Sequence, residues 1–304
     1  MPDDARLDVQ KTLKLFIDGK FPRSESGRTW GVHDTRGGIL AHASLASRKD
    51  LRDAVEAARR AQPGWAAASP LLRGQILYRV AEMMESRRRE LEDAIHATRS
   101  PGRTATKRAA RANAPDLGPA GEVSRAIDRV VHYAGWADKF SQVLGCHNPV
   151  AGSYYTFTVA EPTGVVAAFA PDRHPLLALV SLLAPALCAG NTCVAVPSMR
   201  NPLAAVALAE AIATGDVPPG VVNILTGDAK ELAPIAAQHR DIDAIVAGDP
   251  EPDLARTLRA GVAENLKRVR IIEGVDWHDD GACCSPWWIE PLVEFKTVWQ
   301  PASA

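Results

Sequence analysis

The sequence predicts an α/β fold built on a Rossmann-like, doubly wound parallel sheet, and two features of residues 161–227 predict it. Val165 to Ala170, Thr192 to Val196 and Val221 to Leu225 are short apolar runs with the composition of strands buried on both faces. Between them lie two helix-length apolar stretches, Leu176 to Ala189 and Leu203 to Thr214. Strands alternating with helices of this length give parallel strands joined by right-handed crossovers. The boundaries agree: Pro171 and Pro175 stop the first strand, and Gly190-Asn191 suits a left-handed helix end. Asn201-Pro202 supplies an N-cap and a first-turn proline, and Pro218-Pro219-Gly220 turns the chain into the third strand.

The rest of the chain builds around this unit. Residues Met1 to Lys11 read as a loose end. Leu15 to Phe21 reads as a hairpin turning at Asp18-Gly19. Ser47 caps a helix from Lys49 to Gln62, with Leu51, Val55 and Ala58 at helical spacing, and Trp65 follows it. One long amphipathic helix is expected over Leu71 to Ile95. Residues 98–122, rich in Arg, Ala, Gly and Pro, read as an exposed flexible connection. Their basic run (Arg99, Arg103, Lys107, Arg108, Arg111) lacks the aromatics of a polyanion-binding arm. Helix resumes near Ser124 and runs to Phe140, and Gly152 to Val159 is rich in β-formers. After Gly227 come a helix from Lys230, a strand Ile242 to Val246, another helix, the strand residues Lys267 to Ile272, and a last strand from Leu292 to Trp299.

Composition sets the limits. The chain has 304 residues and a formal net charge of −1, so no global charge points to nucleic acid or an anionic membrane. No apolar run reaches membrane-spanning length, and the acidic start Met1-Pro2-Asp3-Asp4 lacks a secretory layout. The five cysteines show no metal-site spacing, and a reduced, cytoplasmic protein is the expectation.

Three motifs carry a family resemblance: Glu161-Pro162-Thr163-Gly164-Val165-Val166, the run Leu183 to Thr192, and the run Val217 to Gly227. In wording, order and spacing they resemble the coenzyme domain of the aldehyde dehydrogenase superfamily. The resemblance implies that residues 12–140 and 160–275 form the Rossmann-type domain. It implies that residues 141–159 and 289–301 form the strands through which subunits of the family pair. Tyr154, Tyr155, Phe157, Phe295, Val298 and Trp299 are the expected interface residues.

The same resemblance exposes a gap. The complete family enters a second, catalytic domain after its fifth strand, whereas here only Glu273 to Glu290 intervene, with 276–288 as a bridging loop. A segment that short cannot build a domain, since even small ones need roughly 40 residues. The family's oxyanion-donating asparagine has Arg173 in its place, and Ile272 stands at the general base, one residue from Glu273. The lysine and glutamate that hold the adenosine ribose are missing around Val196 and Met199, which should weaken nucleotide binding by about 2–4 kcal/mol. Gly227 and Gly248 keep their places, but Asp249-Pro250 stands where a serine turn meets the pyrophosphate. Asp249 is expected to cap the following helix and to repel a diphosphate.

Other groups are candidates to replace the lost chemistry. Cys283 and Cys284 lack an activating helix or base and read as surface-loop thiols; His278-Asp279-Asp280 reads as a solvated acidic turn rather than a metal site. Trp277, Trp287, Trp288 and Trp299 read as core or interface aromatics, with the lining of a ligand pocket as the alternative. Asp172, Arg173 and His174 sit beyond a strand's C-terminal end, placed to bind an anion or to form a salt bridge.

The expectation is a catalytically inactive aldehyde dehydrogenase-like subunit that binds no metal and no cofactor, with NAD or NADP binding weakened. Its partner would be a full-length aldehyde dehydrogenase subunit or a second copy. In size and in what it lacks, the chain resembles the non-catalytic half of tandem (family sixteen) aldehyde dehydrogenases. Two alternatives remain: a nucleotide-binding module, and a dehydrogenase completed by a partner subunit.

Overall fold

A computed structural model describes residues 11–98, 117–263 and 266–302. The basic run of residues 99–111 lies outside the described residues, as does most of the expected loose end.

The chain opens with β1 (Lys11–Leu13), the turn at Asp18-Gly19, β2 (Thr29–His33) and β3 (Ile39–Ser44). Both turn residues have positive φ, and Ile17 and Lys20 exchange backbone hydrogen bonds, so the hairpin forms as read. Strands β1, β3 and β2 make a small sheet. α1 (Arg48–Ala67) starts at a capping box in which the Ser47 hydroxyl accepts from Asp50 N while Ser47 N donates to the Asp50 carboxylate. It runs through Pro63 and includes Trp65, whose indole donates to Leu187 O at 3.1 Å.

The single helix expected over Leu71 to Ile95 is instead two, α2 (Pro70–Ser86) and α3 (Arg88–Thr98), parted at Arg87, whose ψ of 17° leaves the helical range. α4 (Gly118–Trp136) begins six residues earlier than Ser124, so the end of the expected flexible connection is helical. α5 (Phe140–Leu144), β4 (Cys146–His147) and β5 (Tyr154–Pro162) follow.

β6 (Val165–Phe169), α6 (Pro175–Cys188), β7 (Thr192–Val196), α7 (Pro202–Ala213) and β8 (Val222–Ile224) realise the predicted alternation almost residue for residue. α8 (Ala229–Gln238), β9 (Ala244–Gly248), α9 (Pro252–Gly261) and β10 (Arg268–Ile272) complete the domain. The five central strands are parallel in the order β10-β9-β6-β7-β8. Alternate residues of β6 enter two cores: Val166 and Ala168 pack toward α6 and the outer helices α2 and α4, while Val165, Ala167 and Phe169 pack toward α1, α8 and α9.

Residues 273–292, of which 276–288 are expected as a loop, are folded. They hold one helical turn, α10 (Asp280–Cys283), and two 3-10 turns (Pro286–Trp288 and Glu290–Leu292). Trp277, Cys283, Trp288, Ile289 and Leu292 join the main core. β11 (Val293–Pro301) then pairs antiparallel with β5 along nine residues, and β4 lies on the other side of β5. No helix among the described residues is long and apolar enough to cross a membrane.

Candidate functional site

β6 leads to β7 and β8 on one side, and the chain then returns to place β9 and β10 on the other. The crevice beyond the carboxyl ends of β6 and β9 is therefore the sheet's switch point, where ligands bind in open α/β folds. Four segments meet there.

The first is the turn after β6. Asp172 accepts from Ser198 Oγ at 2.7 Å and pairs with Arg200 at 3.0 Å, which ties this turn to the one after β7. Arg173, expected at the position of the oxyanion donor, is exposed. His174 adopts a left-handed conformation (φ 53°) and gives α6 no side-chain cap. The cap comes from α4, where Glu122 Oε1 accepts from the amides of Leu176 and Leu177 at 3.0 and 3.2 Å. Placing a carboxylate on the first free amides of a helix satisfies orphan donors and opposes the helix dipole. The other oxygen of Glu122 lies 3.7 Å from His174 Nδ1.

The second segment is the turn after β9, which corrects the capping expectation. Asp249 does not cap α9; it has positive φ (41°), and its amide donates to Ile272 O. Its carboxylate is taken by donors from beyond β10, Gly274 N at 2.7 Å and Trp277 Nε1 at 3.2 Å. α9 starts later, with Glu251 as N-cap and Pro252 in its first turn, and Glu251 makes no side-chain cap bond. Asp249 therefore leaves the amides of α9 unoccupied and instead anchors the segment that follows β10.

That segment is the third. Trp277 is 1% exposed and lies against Gly248 so closely that a Cβ on Gly248 would meet its ring at 2.8 Å and Pro171 at 3.1 Å. Its carbonyl accepts from Arg129 of α4, whose guanidinium is buried and also donates to Ser181 Oγ at 2.6 Å. His278, 7% exposed, places Nε2 at 3.1 Å from His174 Nδ1. Burial, and then the neighbouring His174, hold the His278 imidazole down at about 4. The outer nitrogens, His174 Nε2 and His278 Nδ1, are buried without a partner.

The fourth segment is α10. The solvated acidic turn is a misreading for one of its three members: His278 is buried, whereas Asp280 is half exposed and pairs with Arg129 and Arg125. Burial would raise the Asp280 carboxyl, but the two arginines outweigh it and hold the carboxyl below its ordinary value. Asp279 is an exposed turn residue, accepting from Gly281 N and Ala282 N. Cys283 is no surface thiol either. It is fully buried, its carbonyl accepts from Tyr133 at 2.7 Å, and burial pushes its thiol up to about 11. Cys284 is half-buried and shifted upward for the same reason.

The remaining candidates are scattered. Val196 is buried, Met199 is partly exposed beyond β7, and Gly227 packs against Ala46. Ile272 is buried opposite Gly248, and Glu273 is exposed. Glu122, Arg129 and Tyr133 were missed by the sequence reading. All three lie on α4, whose start had been read as loop, and an Arg or Glu on a helix carries no local sign that it points inward.

No group of three or more His, Cys, Asp or Glu among the described residues is placed to hold a metal ion. A dinucleotide fits poorly. The Trp277 indole lies against Gly248 at the edge of the crevice, a carboxylate sits at the turn after β9, and the turn after β7 holds no lysine or glutamate. Away from the crevice, the β5–β11 sheet carries the expected interface residues. Tyr154 packs edge-on against Trp299, His147 stacks on Tyr155, and Tyr155 touches Phe157. Trp299 remains 59% exposed and Phe295 45%, while Phe157 and Val298, opposite each other in register, are half-buried.

Comparison with known proteins agrees with this architecture. The Aldehyde dehydrogenase family model matches residues 23–271. Human retinal dehydrogenase 2 is 34% identical over 271 residues, covering 87% of this chain and 49% of that protein. Cytosolic aldehyde dehydrogenase 1 of Elephantulus edwardii is 32% identical, covering 88% and 51%. Among solved structures, PnpE from Pseudomonas sp. WBC-3 superposes with a TM-score of 0.74 at 29% identity, over 86% of this chain and 50% of that one. The NAD+ complex of aldehyde dehydrogenase from Bacillus cereus gives 0.75 at 26%, over 86% and 51%. The chain thus spans about half the length of the relatives it matches. That half is the coenzyme-binding one, and the catalytic domain is absent from the chain. A parallel sheet in this order, carrying these motifs and matched along most of its length, makes the chain a member of the aldehyde dehydrogenase family.

Proposed function

We propose that the chain is a catalytically inactive aldehyde dehydrogenase-like subunit. It assembles through β5 and β11 with a full-length NAD-dependent aldehyde dehydrogenase or with a second copy. In this reading it acts in the cytoplasm, corresponds to the non-catalytic half of tandem (family sixteen) enzymes, and binds no cofactor. Residues 12–140 and 160–275 are its Rossmann unit, 141–159 and 289–301 its assembling strands, and 276–288 the bridge between them.

The observation that carries the reading is β11. Among the described residues it pairs with β5 on one side only, leaving its other edge open, and Trp299 and Phe295 are exposed. An open edge beside exposed aromatics is a surface suited to another chain. The state of the crevice supports inactivity: Arg173 is exposed, Ile272 is apolar, and both thiols near the C-terminus are shifted away from the thiolate.

Deleting residues 293–301 tests the assembly. Light scattering should show the intact chain at a multimeric mass, alone or mixed with an aldehyde dehydrogenase, and the deleted chain as a monomer. An intact chain that stays monomeric in both settings removes the proposal. A second reading, a nucleotide-binding module, is favoured by the likeness to the Bacillus cereus NAD+ complex. Calorimetry with NAD and NADP tests it directly.

A further inference from the structure

The segment after β10 does more than bridge a gap. Between Gly274 and Cys283 it is fastened to three parts of the Rossmann unit. Asp249, beyond β9, holds Gly274 N and Trp277 Nε1. His174, at the start of α6, holds His278. On α4, Arg129 holds the Trp277 carbonyl and Asp280, while Tyr133 holds the Cys283 carbonyl. The indole between these anchors packs edge-on to Trp288 with ring centroids 5.9 Å apart, and it also lies against Gly248, beside which Pro171 packs. Gly248 and Pro171 end β9 and follow β6, so they are the two lips of the switch-point crevice.

We propose that residues 274–278 are a built-in plug, and that the Trp277 indole stands in the crevice where a dinucleotide would lie and closes the chain to NAD and NADP. The plug is independent of assembly, since the crevice and the open edge of β11 lie on different sheets. It also gives the missing ribose-binding groups a second cause: even with them restored, the indole would have to leave first. Two flat ring systems cannot share one slot, and the indole is held intramolecularly, at high effective concentration.

The test is calorimetric titration of the whole chain with millimolar NAD and NADP. The wild type and Trp287→Ala, whose ring is exposed, should give no binding heat. Trp277→Ala and Trp277→Leu should bind at least one dinucleotide, about tenfold or more tighter than the wild type's detection limit. Trp277→Leu keeps an apolar side chain in the core and serves if the alanine variant fails to fold; cooperative thermal melts identify the folded variants. Binding by the wild type as tight as by either variant overturns the plug and revives the nucleotide-binding reading. Folded variants that gain nothing also overturn it. Because the wild-type titration stands alone, the proposal can be refuted even if both substitutions unfold the chain. The mass by light scattering, read on the same samples, reports separately on assembly.

Discussion

His174 Nδ1 and His278 Nε2 share a single hydrogen bond of 3.1 Å between two largely buried rings. One nitrogen donates and the other accepts, so the pair is compatible with at most one proton between them. The carboxylate of Glu122 faces the His174 side and is already engaged by the amides of α6. Asp276 and Arg125 also act on His278, in opposite directions.

Acid should therefore loosen this contact. The unfolded chain protonates His278 near the ordinary 6.5, whereas in the folded chain burial and His174 delay that to about 4. Stability is full above 6.5 and declines as pH falls from 6.5 toward 4, because the unfolded state binds the proton first. Melting curves across this window should show a falling Tm, with a shallower slope in His278→Gln. An equal slope in both proteins would assign the acid sensitivity elsewhere.

Gly248→Ala should be destabilising by about 1–3 kcal/mol, the usual penalty of forcing a methyl into a filled core. The added carbon meets the Trp277 ring at 2.8 Å, and that ring is pinned by its bond to Asp249. Gly274→Ala has open space around its Cβ and tests the other cause, since its φ of 70° strains any other residue. Urea midpoints compare the two, and an unchanged midpoint for Gly248→Ala would mean that the indole moves freely.

Arg129→Met should cost about 1–3 kcal/mol, because it removes the Arg129 donors from the buried Trp277 carbonyl and from Ser181 Oγ, which keeps its own bond to Leu177 O. Asp280 is half exposed, so loss of its ion pair adds little beyond that. The same substitution should speed hydrogen exchange in residues 277–284 while leaving β6 and β7 protected. Uniform acceleration across the chain would show that Arg129 supports the whole fold.

Thiol chemistry should rank the five cysteines by burial. Cys146 is exposed and should react first; Cys284, half-buried and shifted upward by desolvation, should lag well behind. Burial pushes Cys188 to about 12, raises Cys193 and holds Cys283 at about 11, so these three should react only after denaturation. Mass spectrometry after brief alkylation at mild alkaline pH reads the order. Early modification of Cys283 would contradict its place in the core.

The sequence revealed the parallel sheet because its signal is local: β-branched runs such as Thr192–Val196 and caps such as Asn201-Pro202 act within a few residues. It failed where a distant partner outbid a local one. Asp249-Pro250 has the form of a cap, yet the donors of Gly274 and Trp277 captured the carboxylate and the helix began at Pro252. Likewise, residues 276–288 are short and polar enough to read as a loop, and only tertiary contacts with Arg129 and Tyr133 make them core. The Glu122 cap of α6 was hidden for the same reason, since its two amides lie 54 and 55 residues away.

The nine-residue ladder between β5 and β11 has a kinetic consequence. It joins segments 135 residues apart at the Lys296–Glu161 pair, and Asn191 reaches 101 residues to the carbonyl of Leu292 just before it. Contacts of such long sequence separation form slowly, because loop-closure entropy is lost before they contribute. β11 must therefore be synthesised before β5 gains its second neighbour. Until then the edge of β5 that β11 covers is unpaired, a row of backbone groups able to pair with another chain.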